Sequence, residues 1–209
     1  MQEYLLKTYS RKDVLFKKGD GIWLYSDSGD KFLDCASGIA VNILGHCNKK
    51  LVKVLTEQAK NLWHTSNLYR VENQEKLAKL LVENTFADKV FFTNSGTEAI
   101  ECAIKMARIY FSKLKQNRYE ILSFDGCFHG RSMAAITTSN SNKMIDGFGP
   151  LLPGFKTIGF NDKSALHENI NKLMKGKLGR LAKEITEETI KDLGDLSGVS
   201  SVKDLFNNL

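Results

Sequence analysis

Proline is nearly absent: Pro150 and Pro153 are the only two in 209 residues. That excludes proline-rich linkers and collagen-like repeats, and it lets helices run without interruption. Cysteine is scarce as well. Cys35, Cys47, Cys102 and Cys127 are widely and unevenly spaced, so neither close-pair metal motifs nor a secreted disulfide framework is expected. They read as reduced, partly buried thiols of a cytoplasmic protein. No apolar run reaches bilayer-spanning length, and Met1-Gln-Glu-Tyr-Leu-Leu-Lys-Thr-Tyr lacks the apolar core of a signal peptide; no membrane association is expected. The glycine patterns of dinucleotide and nucleoside-triphosphate loops do not occur either.

What is present is ordinary for a globular protein: 42% hydrophobic and 26% charged residues. The formal charge is +6. Residues 173–209 carry six basic and six acidic side chains, so the excess lies in the body. No basic stripe, zinc-finger spacing or RNA-binding signature accompanies it, and nucleic acid is not an expected partner.

The pattern along the chain predicts an α/β protein. Ile22–Tyr25 and Lys31–Cys35 flank Asp27-Ser28-Gly29-Asp30, a hairpin signal. Helical spacing follows over about 49–63, with Leu51, Val52, Leu55, Ala59 and Leu62 on one face, and over about 73–83, with Leu77, Leu80 and Leu81 inward. Lys89–Asn94 reads as a short buried strand, Ser95 to about Lys113 as a long helix and Tyr119–Phe124 as a second strand. Met133–Ser139 is expected as a third strand. The proline-bracketed loop leads to another at Lys156–Phe160. Strand, helix, strand at this spacing argues for a parallel sheet. Beyond Ser164 the periodicity is helical, with Leu178, Leu181, Ala182, Ile185, Thr189 and Leu193 on one face, and Ser200-Ser201 could cap a short final helix.

Chemistry concentrates at Ser95-Gly96-Thr97-Glu98. A helix N-terminus presents unpaired amides and the positive end of the macrodipole, which suits a phosphate. Gly96 permits close backbone approach, and Ser95 and Thr97 add hydroxyls. The same four residues also spell a capping box, which needs no ligand. On these residues alone both readings stay open, with the cap favoured.

Neighbouring segments add context. Phe92-Thr-Asn-Ser-Gly-Thr-Glu-Ala is followed by Ser123-Phe-Asp-Gly-Cys-Phe-His-Gly-Arg131, and preceded by Ser37-Gly-Ile-Ala-Val-Asn-Ile-Leu-Gly-His-Cys47 and Leu62-Trp-His-Thr-Ser-Asn-Leu-Tyr69. In this order and spacing the four segments resemble the class III, fold-type I aminotransferases, and the last is most similar to the acetylornithine branch of that family. The resemblance covers residues 1 to about 172, the N-terminal half of the family pattern.

The resemblance implies pyridoxal 5'-phosphate as cofactor. Gly96 and Thr97, assisted by Ser95, would bind its phosphate; Phe128 would stack on the pyridine ring; Arg131 would hold the substrate carboxylate, a task suited to a planar guanidinium. His129, His46 and His64 receive no catalytic role. The partners would be a small amino donor, N-acetylornithine or another ω-amino compound, and a 2-oxo acid, in a homodimer. The resemblance places the cofactor's lysine and the acidic partner of the ring nitrogen beyond the matching segments, and Lys175, Lys177 and Lys183 read as solvated. No catalytic residue is therefore assigned, and the isolated chain is expected to be inactive. The expected organisation is an N-terminal segment, 1–70, the first half of the cofactor-binding large domain, 71–172, and a helical tail unlike the family, 173–209. A non-catalytic cofactor-binding or subunit-interaction fragment, and a non-functional remnant, are the alternatives.

Overall fold

The computed structural model describes residues 4–139 and 141–173. The chain divides between Lys89 and Val90 into two compact units.

The first unit is built on an antiparallel sheet ordered β1 (Phe16–Asp20), β2 (Trp23–Ser26), β3 (Lys31–Leu33). The expected hairpin is β2–β3, with Leu24 opposite Phe32. Its turn is closed by Ser26, whose Oγ accepts from the Asp30 amide at 3.0 Å, while Gly29 supplies the positive φ of 89°. Strand β1 was not expected, because Lys17, Lys18 and Gly19 give it no alternating apolar pattern.

After β3 the chain makes one left-handed turn, α1 (Ser37–Ala40), with φ between 47° and 64° at all four residues. Left-handed backbone costs a side-chain-bearing residue about 1–2 kcal/mol, so something must hold it. Asp34 does. One carboxylate oxygen accepts from the amides of Ala36 (3.1 Å) and Ser37 (2.8 Å), and the other meets His46 Nε2 at 2.7 Å. His46 is in turn bridged to Gly21 through both backbone groups, and its Cβ fills the space a side chain on Gly19 would need.

Helix α2 (Lys49–Asn61) starts at Asn48, whose side chain accepts from the amides of Lys50 and Leu51. Helix α3 (Glu72–Glu83) carries Glu72 and Glu75 in its first turn, favourable for the macrodipole. Arg70 grips Glu75 through two bonds of 2.6 and 2.7 Å. Both helices fall where the periodicity puts them, but neither buries a residue. Leu55, Leu77 and Leu80 are 70%, 47% and 58% exposed; the inward face expected for α3 has no cover within its unit.

Residues 89–94, expected as a strand, form none and pair with no strand among the described residues. In the second unit, helix α4 (Gly96–Lys113) leads to β4 (Ile121–Phe124), which pairs in parallel with β5 (Phe155–Ile158). Parallel neighbours need a long crossover, and here it contains α5 (Met133–Ser139) and α6 (Asn142–Ile145). Segment 133–139 is thus a helix and not the expected strand. Its β-branched run favours a strand locally, but the Thr137, Thr138 and Ser139 hydroxyls donate to carbonyls three or four residues back. Residues 134–139 are all buried. With Ile104 of α4 and Ile158 of β5 they form the core of the unit. Helix α7 (Lys163–Leu173) follows. The tail helix expected over Leu178–Leu193, and the short one at Ser200-Ser201, lie outside the described residues.

One side chain ties α4 to both strands. Arg108 donates to the carbonyls of Tyr119 (3.3 Å) and Pro153 (2.9 Å), just before β4 and β5, and lies over the Phe155 ring.

Two predictions follow from these polar nodes. Hydrogen bonds to a charged group contribute about 1.5–3 kcal/mol, so Arg108→Ala should lower the urea midpoint of the second unit by the equivalent of about 2 kcal/mol. In the first unit, the bond from His46 holds the Asp34 carboxyl below its ordinary 3.8, against the opposing effect of burial. A depressed folded-state pKa gives stability that is present above the unfolded value and lost as pH falls through the folded one. Asp34→Asn should therefore be most destabilising at neutral pH, and the gap should narrow below about pH 3.8. Acid titration followed by circular dichroism checks this.

Candidate cofactor-phosphate site

Five residues singled out from sequence lie in the second unit: Ser95, Gly96 and Thr97 at the start of α4, and Phe128 and Arg131 in the loop after β4. Ser95 is the N-cap, in extended conformation, and its Oγ accepts from the Glu98 amide at 3.3 Å. Glu98 reaches back past Ser95 to the amide of Asn94 at 2.6 Å. The cap is therefore present, one residue longer than the usual box.

The cap leaves the anion-binding capacity free. Among the described residues, the Gly96 amide, the Thr97 amide and the Thr97 hydroxyl have no acceptor. A side chain at Gly96 would meet nothing within 4 Å. Three donors at the positive end of an 18-residue helix, with open space at Gly96, suit a phosphate. The phosphate and capping readings are thus compatible, since they use different groups.

Gly130 sets how the loop approaches. It is buried, its φ is 117°, and a Cβ built there would lie 2.1 Å from Thr97 Oγ1 and 2.8 Å from Thr97 Cβ. Only a residue without a side chain lets the loop lie on Thr97. Phe128, two residues earlier, is 66% exposed, and Arg131 is exposed with its guanidinium carbon 5.7 Å from the Phe128 ring centre. An exposed aromatic ring and a guanidinium that has no ion pair among the described residues therefore stand in the loop that rests on Thr97.

Sequence reasoning passed over three residues that build this arrangement: Gly130, Ser132 and Glu101. Gly130 stood in the quoted motif, but its role depends on a contact far along the chain. Two histidines behave as structural groups: His46 pairs with Asp34, and His64 Nε2 accepts from the Ser66 amide at 3.2 Å. Burial pushes the Cys127 thiol up, which disfavours a nucleophilic thiolate. The expectation of partly buried thiols holds for Cys102 and Cys127, whereas Cys35 and Cys47 are exposed; all four are free. Among the described residues no helix is long and apolar enough to cross a membrane.

The second unit thus combines a parallel strand pair with a capped, donor-rich helix start against which a glycine-bearing loop packs. The chain belongs to the class-III aminotransferase family, whose model matches residues 6–194. The match continues past 172, into the tail expected to be unlike the family. Over 163 residues the chain is 55% identical to an acetylornithine aminotransferase of Rhodobacter capsulatus and 51% identical to one of Agrobacterium fabrum, covering 78% of this chain each time. It spans only 42% and 41% of those relatives. Among solved structures, ornithine aminotransferase of Toxoplasma gondii superposes with a TM-score of 0.77 at 26% identity, over 81% of this chain and 41% of that one. N-acetylornithine aminotransferase of Stenotrophomonas maltophilia does so at 0.63 and 34%, over 78% and 40%. The fold is a partial fold-type I aminotransferase fold, as expected.

Because the loop rests on Thr97 only through the missing side chain of Gly130, Gly130→Ala should be costly. Overpacking typically costs about 1–3 kcal/mol. The measurement is a urea unfolding curve beside a calorimetric titration with inorganic phosphate; the added methyl presses on the Thr97 hydroxyl itself, so the variant should bind at least several-fold more weakly.

Proposed function

We propose that this chain supplies the phosphate and ring contacts of a pyridoxal-phosphate site in an aminotransferase that moves an amino group from N-acetylornithine to 2-oxoglutarate. The observation that supports the reading is the set of donors at Gly96 and Thr97 left unclaimed among the described residues, with open space at Gly96. The curated relatives, acetylornithine aminotransferases by name, support the choice of substrate.

The residues present fit the cofactor. Gly96, Thr97 and the Ser95 hydroxyl would hold its phosphate, and the Phe128 face would fix the ring plane and exclude water on that side. Arg131 would receive the substrate carboxylate, for which it must swing from the Phe128 ring. When bound, the cofactor supplies an electron sink that eases proton loss at the amino-bearing carbon. Residues 71–172 belong, on this reading, to the large cofactor-binding domain and 1–70 to the N-terminal segment, and two copies associate as in the family.

Motif resemblance assigns no lysine of this sequence to the cofactor and no carboxylate to its ring nitrogen. These 209 residues alone are therefore expected to bind without transferring amino groups. A second reading, a non-catalytic fragment that pairs with another subunit, is favoured by the uncovered apolar faces of α2 and α3.

The chain treated with pyridoxal phosphate, reduced with borohydride and mapped by mass spectrometry should show no stoichiometric adduct at any single lysine. Such an adduct at one position would overturn the expectation of inactivity. Thr97→Val should weaken phosphate binding about tenfold, in line with loss of a charged hydrogen bond; unchanged binding would remove phosphate from this site.

A further inference from the structure

Ser132, directly after Arg131, donates from its hydroxyl to Glu101 Oε1 at 2.5 Å. Both residues are half-buried. The same hydroxyl accepts from the Ala135 amide at 3.4 Å, at the start of α5. Glu101 lies four residues after Thr97, so it stands one turn further along the same face of α4.

The loop is thus fastened to α4 twice, through Gly130 against Thr97 and through Ser132 against Glu101. The two spacings agree. Four helical residues rise about 6 Å, and two residues of non-helical chain span at most about 7 Å. Arg131, between the fastened residues, is left facing solvent, and Phe128 is carried just before the first of them. A hydroxyl bonded to a carboxylate is among the stronger side-chain hydrogen bonds. It outlasts the looser contacts of an exposed loop.

We propose that Glu101 is a positioning residue for this site: through Ser132 it holds the loop that presents Phe128 and Arg131 above the start of α4. It touches neither phosphate nor ring. Its effect is felt where the ring must meet Phe128, and it is not felt at the Gly96 and Thr97 donors, which α4 positions by itself. The inference rests on the phosphate-and-ring reading given above.

The test uses the 209-residue chain and two probes, inorganic phosphate and 4-deoxypyridoxine 5'-phosphate, which has the ring but no aldehyde to react with lysines. Calorimetry gives both affinities, and far-UV circular dichroism reports the fold. Glu101→Ala should lower affinity for the ring-bearing probe about tenfold while phosphate affinity stays within twofold. Glu101→Gln, which keeps an acceptor oxygen, should recover most of the loss. Ser132→Ala should reproduce it, and the double variant should lose little more than either single one. Equal weakening of both probes, or no change in either, overturns the positioning role and leaves the site reading standing. An unsubstituted chain that binds neither probe overturns the site reading, and the positioning role with it.

Discussion

The second unit depends on the absence of one side chain. Gly130 lies so close to Thr97 that any Cβ would overlap the threonine hydroxyl. The contact joins segments more than thirty residues apart: the N-terminal turn of α4, and the loop that leaves the C-terminal end of β4. Ligands of α/β folds gather where helix starts face the carboxyl ends of strands. Here that geometry follows from a close approach that only glycine allows. If the loop moved out, Thr97 would still cap nothing and Gly96 would still face open space, but Phe128 and Arg131 would no longer be tied to them.

Polar groups do the equivalent work elsewhere. In the first unit Asp34 serves two backbone amides and one imidazole, and the left-handed turn at Ser37–Ala40 begins at those amides. In the second, Arg108 serves two carbonyls that precede β4 and β5. In each case a charged side chain is committed to backbone groups that strand pairing leaves unpaired, at a place where the chain changes direction. Among the described residues the buried apolar core is small, formed by Ile104, Ala134, Ala135, Ile136 and Ile158. Directional contacts therefore carry more of the local geometry than they would in a larger core.

Much of this was legible in the sequence. The places of α2, α3 and α4 follow from 3.6-residue spacing, and the start of α4 from Ser95 as a cap, all local properties. The donor-bearing start of α4 was legible because the physics of a helix start singles out Ser95, Gly96 and Thr97, whereas Phe128 and Arg131 came from the family motifs alone. What escaped was decided at long range. Met133–Ser139 has strand propensity but is helical, because its hydroxyls bond back along its own backbone and its faces are buried against β4 and β5. Segment 89–94 has a strand's composition, yet it finds no neighbour to pair with among the described residues. A strand is a relation between segments, and one segment's composition cannot report it. The left-handed turn at Ser37–Ala40 carries no local signal apart from Gly38.

The exposed faces of α2 and α3 extend the same argument. Leu51, Leu55 and Leu62 recur at helical spacing, as do Leu77, Leu80 and Leu81, and such stripes encode burial. Yet each of these leucines is at least 37% exposed. A stripe fixes which way a helix would face a partner, but not whether the partner lies in the same stretch of sequence. The relatives that share these motifs are more than twice as long as the part matched here, so they contain chain from which a cover could be drawn. The family's motifs and the family's core are therefore separable properties: this chain carries the first in register, while the apolar patterning of its first unit is written for surfaces that unit does not itself provide.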